Sequence, residues 1–475
     1  MAPAPWDSVP PEDTLFALVT GANSGIGFAI CQRLIDEYLV TRSLTSHLVV
    51  IPTTRSVKKS QETIDALRQH AREFATTSDI LRSRAGPNYD PRSITKRIHI
   101  LSVQLDLCNL ADVHRAAEQL VNGTVSSPAD ANDVYFTSLT DVRIPRLDAV
   151  IFNAGMGGWT GLDWPKVFHN IFTKGLVQAT TWPTFKAATA GHVVNPLPDA
   201  KDEKVPEMGQ VFCANVFGHY LLAHKLVPLL SRSEFDSTIP PGRIIWESSI
   251  EPGWKNLSLS DFQAIKTNAA YESTKRLTDV LSLTATLPSA RPFVDSYLQP
   301  ATKSNAPATP PRIYLVHPGI VQTTLFPLNA FMFFWYRVVL YIARWLGSPW
   351  HPITGYNGAV APVWLALQEQ EALDAVDAEH VKWGSSTDFW GECRVLKTEV
   401  EGWGWDGTVG TRKELKNEKG ERRIGRKIVG RKSGAVDLTE EKKVEFEMLG
   451  VECWKEMERL RGEWEARLGR VLERQ

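Results

Sequence analysis

Short apolar runs alternate with helical periodicities along most of this chain. Leu15 to Thr20 is one such run. It ends in a Gly-rich turn, after which Phe28, Ile30, Leu34 and Ile35 continue at helical spacing, so strand, turn and helix follow in that order. His47 to Thr53 reads as a second strand, and Ile98 to Leu105, Leu147 to Phe152, Arg243 to Glu247 and Arg312 to Val316 as further short β-rich runs. Helical patterns lie between them around Leu110 to Leu120, Gln210 to Leu230 and Tyr271 to Leu283. Such alternation predicts an α/β fold: a Rossmann-type, doubly wound, mostly parallel sheet covered on both faces.

Long inserts separate these units, at residues 70–97, 122–145, 156–208 and the Pro-rich 287–311. They exceed ordinary connections and predict surface excursions or lids. Residues 12–395 form the main domain on this reading, and it includes an apolar segment, 328–346. Residues 396–436 are rich in Lys, Arg, Glu and Gly and read as a charged linker. Within 437–475, Val451, Trp454, Met457, Leu460, Trp464, Leu468 and Val471 recur every three or four residues, predicting an amphipathic C-terminal helix.

Composition narrows the class. The chain has 475 residues, 43% of them hydrophobic, and a formal net charge of -1 with no dominant basic patch before the C-terminal region, so the footprint of a nucleic-acid binder is missing. Five cysteines are scattered singly, which excludes a paired metal site or a disulfide scaffold and favours a reducing compartment. The N-terminal residues lack a basic region followed by an apolar run, so the chain is expected on the cytosolic side.

The candidate chemistry lies in a few spacings. Tyr271 and Lys275 are four residues apart on one helical face, where the ammonium would hold the phenol near its ionised form. In the turn Thr20-Gly21-Ala22-Asn23-Ser24-Gly25-Ile26-Gly27, Gly21 permits a tight bend, Gly25 lets backbone approach a pyrophosphate, and Gly27 allows close helix–strand packing. The second strand ends Thr53-Thr54-Arg55-Ser56, with Lys58 and Lys59 behind it and no acidic residue to accept from a ribose 2′-hydroxyl. An arginine there favours a 2′-phosphate, hence NADPH, although the same residue could be a solvated loop cation.

Taken together, Thr-Gly-x-x-x-Gly-Ile-Gly, Asn153-Ala154-Gly155, Asn215, Ser248-Ser249, Tyr-x-x-x-Lys and His317-Pro318-Gly319 occur in the order found in the short-chain dehydrogenase/reductase family, which the chain resembles over roughly residues 12–325. The resemblance implies that Tyr271 is the acid that protonates a carbonyl oxygen. It implies that Lys275 holds the nicotinamide ribose and lowers the Tyr pKa, that Ser249 or alternatively Ser248 orients the carbonyl, and that Asn215 positions a relay water. By the same resemblance Asn23, Ser24 and Ile26 in the Gly-rich turn, Asp106, Asn153, Gly155, Ile320 and Thr323 line the cofactor cleft. An inserted stretch, Trp254 to Phe262, separates the serines from Tyr271 further than is usual.

The segment 328–346 carries Phe331, Met332, Phe333, Phe334, Trp335, Tyr336, Val338, Val339, Leu340, Tyr341 and Ile342, interrupted by Arg337 and Arg344. It is short for a bilayer span. A helix on the membrane with snorkelling arginines and a buried lid over the pocket are both open readings, and both favour a large apolar substrate. With Tyr-Glu-Ser-Thr-Lys-Arg, Asp261-Phe262-Gln263 and His-Pro-Gly-Ile-Val-Gln-Thr-Thr-Leu-Phe, the chain is similar to the fungal 3-ketosteroid reductases of ergosterol synthesis. That implies reduction of the C-3 ketone of 4-methyl sterol intermediates to a 3β-hydroxyl during C-4 demethylation. It also implies residence on the cytosolic face of the endoplasmic reticulum and lipid droplets, beside the other C-4 demethylation enzymes and oxidosqualene cyclase. A reductase of retinal or a fatty ketone, and a scaffold for sterol enzymes, are the alternatives.

Overall fold

The computed structural model describes residues 3–127, 133–198, 200, 205–233, 238–299, 308–323, 329–409, 423–424, 427–428 and 430–473. Its centre is a sheet built from β1 (Thr14–Val19), β2 (His47–Thr54), β3 (Ile98–Ile100), β4 (Ala149–Phe152), β5 (Arg243–Glu247), β6 (Arg312–His317), β7 (Lys382–Thr387) and β8 (Cys393–Thr398). The spatial order is β8-β7-β6-β5-β4-β1-β2-β3, with every pair parallel except β7 and β8, and with Val103–Gln104 pairing the end of β2. Chain direction along the sheet reverses between β1 and β4. Ligands of open α/β sheets bind in the crevice outside the strand ends at such a switch.

The central strands are largely apolar because both faces are covered, yet their residues still alternate between two cores. Phe16, Leu18, Val150, Phe152, Ile244, Trp246 and Leu315 face one side. Ala17, Val19, Ile151, Ile245 and Val316 face the other. The helices used below are α1 (Gly25–Thr41), α2 (Val57–Thr77), α3 (Leu110–Val121), α4 (Trp164–Lys174), α5 (Gly218–Leu230), α6 (Ala270–Thr284), α7 (Ala330–Trp345) and α8 (Glu440–Leu472). α3, α5 and α6 pack on the first face, and α1 and α2 on the second.

Several boundaries differ from those the sequence predicts. The run 98–105 breaks into two short strands, because Leu101 and Ser102 leave the register between them. Residues 70–97 are no loop: α2 extends to Thr77 and a second helix, Asp79–Ala85, follows. The linker does not begin at 396, since Leu396 to Thr398 complete β8 and Trp403 is buried, donating from Nε1 to the His380 carbonyl at 2.8 Å. Residues 410–422 of that linker lie outside the described residues.

α8 is no appendage either. Phe446, Trp454, Met457, Leu460, Trp464 and Leu468 close the first core, each burial contributing about 1.5–3 kcal/mol. Gly450 lies so close to α6 that a Cβ there would meet Thr284 at 2.6 Å. The C-terminal helix thereby buttresses the back of the helix that carries Tyr271 and Lys275.

Candidate functional site

The Gly-rich turn closes on its neighbours more tightly than any side chain permits. Gly21 has φ +65° and would place a Cβ 2.8 Å from that of Ala154, while a Cβ on Gly27 would sit 2.4 Å from Asn153 Nδ2. Asn153 Nδ2 donates to the Thr20 carbonyl at 2.9 Å, and the Ala154 amide donates to Thr20 Oγ1 at 3.0 Å, so β1 and β4 are tied at the switch point. Gly25 differs: its φ is +59° and nothing lies within 4 Å of where a Cβ would stand. No side chain caps α1, so its first amides point into this space as donors for an anion. Arg55 is exposed at the end of β2, and Asp106 accepts from the Cys108 amide at 3.0 Å beside the same cleft. A dinucleotide pyrophosphate with a 2′-phosphate fits this donor set. Arg55 would hold the phosphate and the α1 terminus the pyrophosphate.

Asn215 sits in one turn of π-helix, Cys213–Phe217, that leads into α5. Its Oδ1 accepts from the Met156 amide at 2.8 Å, and its Nδ2 donates to the Met156 carbonyl at 3.0 Å and to Thr274 Oγ1 at 3.2 Å. This explains Gly155, where a Cβ would meet Asn215 Oδ1 at 2.9 Å. Helical periodicity gives no sign of the next partner, His219. It spans from the Asn215 carbonyl at 3.3 Å to Thr20 Oγ1 at 2.9 Å, and burial pushes its pKa down to about 3, so it is neutral there.

The two serines separate cleanly. Ser248 turns into the core, donating to Asp279 Oδ1 at 2.5 Å, and Asp279 is itself ion-paired to buried Lys382 at 2.7 Å. Ser249 faces the pocket beside Tyr271. Ser248 is therefore spent on the Asp279–Lys382 pair, which corrects its place among the candidate catalytic groups. The insert Trp254 to Phe262 does fold back: Asp261 accepts from the amides of Ile265, Lys266 and Thr267 at 3.0, 2.9 and 3.1 Å, and Phe262 is buried against Phe212.

Lys275 does not hydrogen-bond the phenol. Its Nζ donates to the Glu247 carbonyl at 2.6 Å and lies 5.7 Å from the centre of the Tyr271 ring. Burial pulls the ammonium down to about 8 and pushes the Glu247 carboxyl up to about 8, each opposed by the other's charge. The phenol itself is held well above its ordinary value, by burial first and then by Glu251, with the Ser249 hydroxyl acting the other way. The phenol is thus poised as a protonated donor rather than near ionisation.

Beyond Gly319, the Ile320 amide donates to the Trp350 carbonyl at 2.7 Å, and Thr323 lines the pocket mouth. The pocket has a volume of about 420 Å³ and is lined mainly by apolar groups of the 156–208 insert, the loop after β6, and α7. Ser249 and Tyr271 are among its few polar groups. α7 serves as lid and surface at once. Met332, Tyr336 and Val339 line the cavity, Phe331 and Trp335 line it while keeping large exposed areas, and Phe334, Ile342 and Trp345 are exposed without lining it. Arg344 does not snorkel, because its Nε and Nη2 donate to the carbonyls of His351 and Pro352 at 2.9 and 2.6 Å. Among the described residues no helix is long and apolar enough to cross a membrane.

No family model matches the chain. It is 52% identical over 470 residues to the 3-keto-steroid reductase ERG27 of Gibberella zeae, covering 98% of each chain. The chain belongs to the 3-keto-steroid reductase family. The 3-keto-steroid reductase of Aspergillus fumigatus is 42% identical, with 95% of this chain and 94% of that one covered, and that of Saccharomyces cerevisiae is 30% identical, with 81% and 89% covered. The chain is thus an oxidoreductase of a keto or hydroxyl group.

Proposed function

We propose that the chain reduces the C-3 ketone of 4-methyl sterol intermediates to the 3β-hydroxyl, with NADPH, during C-4 demethylation in ergosterol synthesis. The observation that carries this reading is the pair of hydroxyls, Ser249 and Tyr271, facing an apolar cavity of about 420 Å³ beside the switch-point crevice. The apolar lining suits an apolar ligand, and the two hydroxyls give its single carbonyl a fixed place.

In the reaction, Ser249 donates to the carbonyl oxygen and orients it, and Tyr271 transfers its proton to that oxygen as negative charge develops. NADPH, when bound, supplies the hydride. Lys275 would hold the nicotinamide ribose, while Asn215 ties the turn that leads into α5 to the loop after β4. Gly21, Asn23, Ser24, Gly25, Ile26 and Gly27 would hold the pyrophosphate, and Arg55 would read the 2′-phosphate. Product analysis with NADPH and a panel of 3-ketosterols tests the substrate, and turnover no faster than with retinal or a fatty ketone would overturn it. Arg55→Ala is expected to cut the preference for NADPH over NADH by roughly tenfold, as one lost charged contact would.

We infer further that the reductase works on the cytosolic face of the endoplasmic reticulum and lipid droplets. The outer face of α7 and the exposed Phe168 and Phe172 of α4 flank the pocket mouth, which supports entry of substrate from a lipid phase. Flotation with phospholipid vesicles is expected to carry the full chain, and Phe334→Ser with Trp345→Ser to reduce the bound fraction severalfold; equal flotation would sink the idea. Contact with other C-4 demethylation enzymes and oxidosqualene cyclase belongs to the same reading and is checked by co-purification from detergent extracts.

A further inference from the structure

Residues 430–433, part of the stretch that reads as a charged linker, are bound to the wall of the substrate pocket. Gly430 has φ +92°, and a Cβ there would stand 2.9 Å from Pro349, so the chain passes directly over the loop that follows α7. Its carbonyl accepts from Trp350 Nε1 at 2.6 Å. The Arg431 guanidinium meets Glu399, just past β8, through Nε and Nη2, each at 2.5 Å, and Asp437 through Nη2 at 2.8 Å. The Arg431 and Glu399 side chains are only 10% and 12% exposed. A bidentate pair of this kind fixes direction as well as distance, so the segment has one set course.

What the segment holds is Gln178. Its Nε2 donates to the Arg431 carbonyl at 2.9 Å and its Oε1 accepts from the Ser433 amide at 2.9 Å, so one side-chain amide satisfies two backbone groups. Gln178 belongs to the helix Leu176–Thr181, and the next two residues, Ala179 and Thr180, line the pocket. Six residues close too few helical bonds to offset the cost of nucleation, so this helix depends on what it packs against. Thr180 Oγ1 meets His351 Nε2 at 3.0 Å, and Trp182 Nε1 donates to the Ile250 carbonyl at 3.1 Å. These contacts join the helix to the loop after α7 and to the loop that carries Ser249. Gln178 adds an anchor to a part of the chain 253 residues away.

We propose that residues 430–433 are a strap that preorganises the substrate pocket, with Gln178 and Arg431 as positioning residues for the apolar ketone. The proposal rests on this pocket being the ketone's site. A wall already held in its bound shape spares the ligand the cost of ordering it. The reacting hydroxyls of Ser249 and Tyr271 come from other segments, as do the glycines of the cofactor cleft. Loss of the strap therefore weakens the hold on the ketone and leaves proton transfer to a seated ketone intact, which raises KM while kcat is kept.

The test is steady-state kinetics of the full chain in detergent with NADPH and a 3-ketosterol. Gln178→Met keeps the length of the side chain and removes both hydrogen bonds. It is expected to raise the ketosterol KM about fivefold, the scale of one or two lost hydrogen bonds, with kcat and the NADPH KM changed by less than about twofold. Arg431→Lys keeps the charge without the fork and is expected to raise the same KM. Because both residues act through one strap, the double variant is expected to fall short of the product of the single effects. An unchanged ketosterol KM in Gln178→Met would overturn the proposal. So would an equal loss in kcat or in the NADPH KM, which marks a general loosening of the fold, and so would effects that multiply in the double variant. Absence of 3-ketosterol turnover by the wild-type chain would instead overturn the reading of the pocket on which the proposal rests.

Discussion

The cofactor cradle and the substrate pocket meet at Tyr271 but are assembled in opposite ways. The cradle is made of short stretches in which neighbours press directly on a glycine backbone: a Cβ on Gly21, Gly27 or Gly155 would lie within 3 Å of Ala154, Asn153 or Asn215. The pocket is made of side chains from distant segments, among them the 156–208 insert with α4 and Lys186, the loop with Ser249 and Glu251, the start of α6, the loop after β6, and α7. Backbone contact demands particular residue types at particular spacings. Side-chain contact across long separations demands only that something complementary arrive.

The largest expected effect tests where the two halves join. Tyr271→Phe removes the proton donor and leaves the ring against Trp159, whose centre is 4.7 Å away. Reduction is expected to fall by about 10²–10⁴-fold in kcat, with NADPH affinity and the melting temperature little changed. Calorimetric titration and a melting curve alongside the product assay would show it, and retained turnover would remove Tyr271 from the reaction.

A smaller contrast lies in the adjacent serines. Ser249→Ala is expected to lower kcat by roughly 10²-fold, the scale of one lost oxyanion donor. Ser248→Ala should instead strip a hydrogen bond from the buried Asp279–Lys382 pair and lower stability by about 1–3 kcal/mol. Equal kinetic losses from the two substitutions would show that the pocket side is not assigned by the hydroxyl's direction.

What the sequence disclosed follows the same division. Gly21, Gly25, Gly27 and Gly155 are legible because a positive φ or a missing Cβ leaves glycine little competition. Tyr271 and Lys275 are legible from their spacing, but their electrostatic relation is not, since it depends on Lys275 turning to the Glu247 carbonyl. Lys186 lies in an insert that reads as a surface excursion, and only the strand pairing with Trp159–Leu162 brings it to the tyrosine. β7, Lys-Trp-Gly-Ser-Ser-Thr, carries no apolar run at all, yet it is wholly buried because Lys382 pairs with Asp279 and Ser385 donates to the Gly358 carbonyl at 2.6 Å. The π turn at Asn215 adds a residue to a helix without altering its apolar pattern, so composition cannot reveal it.

The smallest effect concerns Glu247, which underlies both halves. Neither of its carboxyl oxygens has a hydrogen-bond partner among the described residues, and burial raises its pKa to about 8, with Lys275 opposing the rise. A carboxyl raised in the folded state binds a proton there that the unfolded chain has already released. Its contribution to stability is therefore complete below about pH 4.5 and is lost as pH climbs through about 8. Lys275, lowered to about 8, works in the opposite sense only above that pH, where the unfolded chain holds the extra proton. Glu247→Gln removes the carboxyl titration, so the variant should melt close to the wild type at pH 5 and about 2 °C or more above it at pH 8. A gap between the two melting curves that does not widen from pH 5 to pH 8 would mean that Glu247 stays charged in the fold, and that the ammonium of Lys275 repays its burial in full.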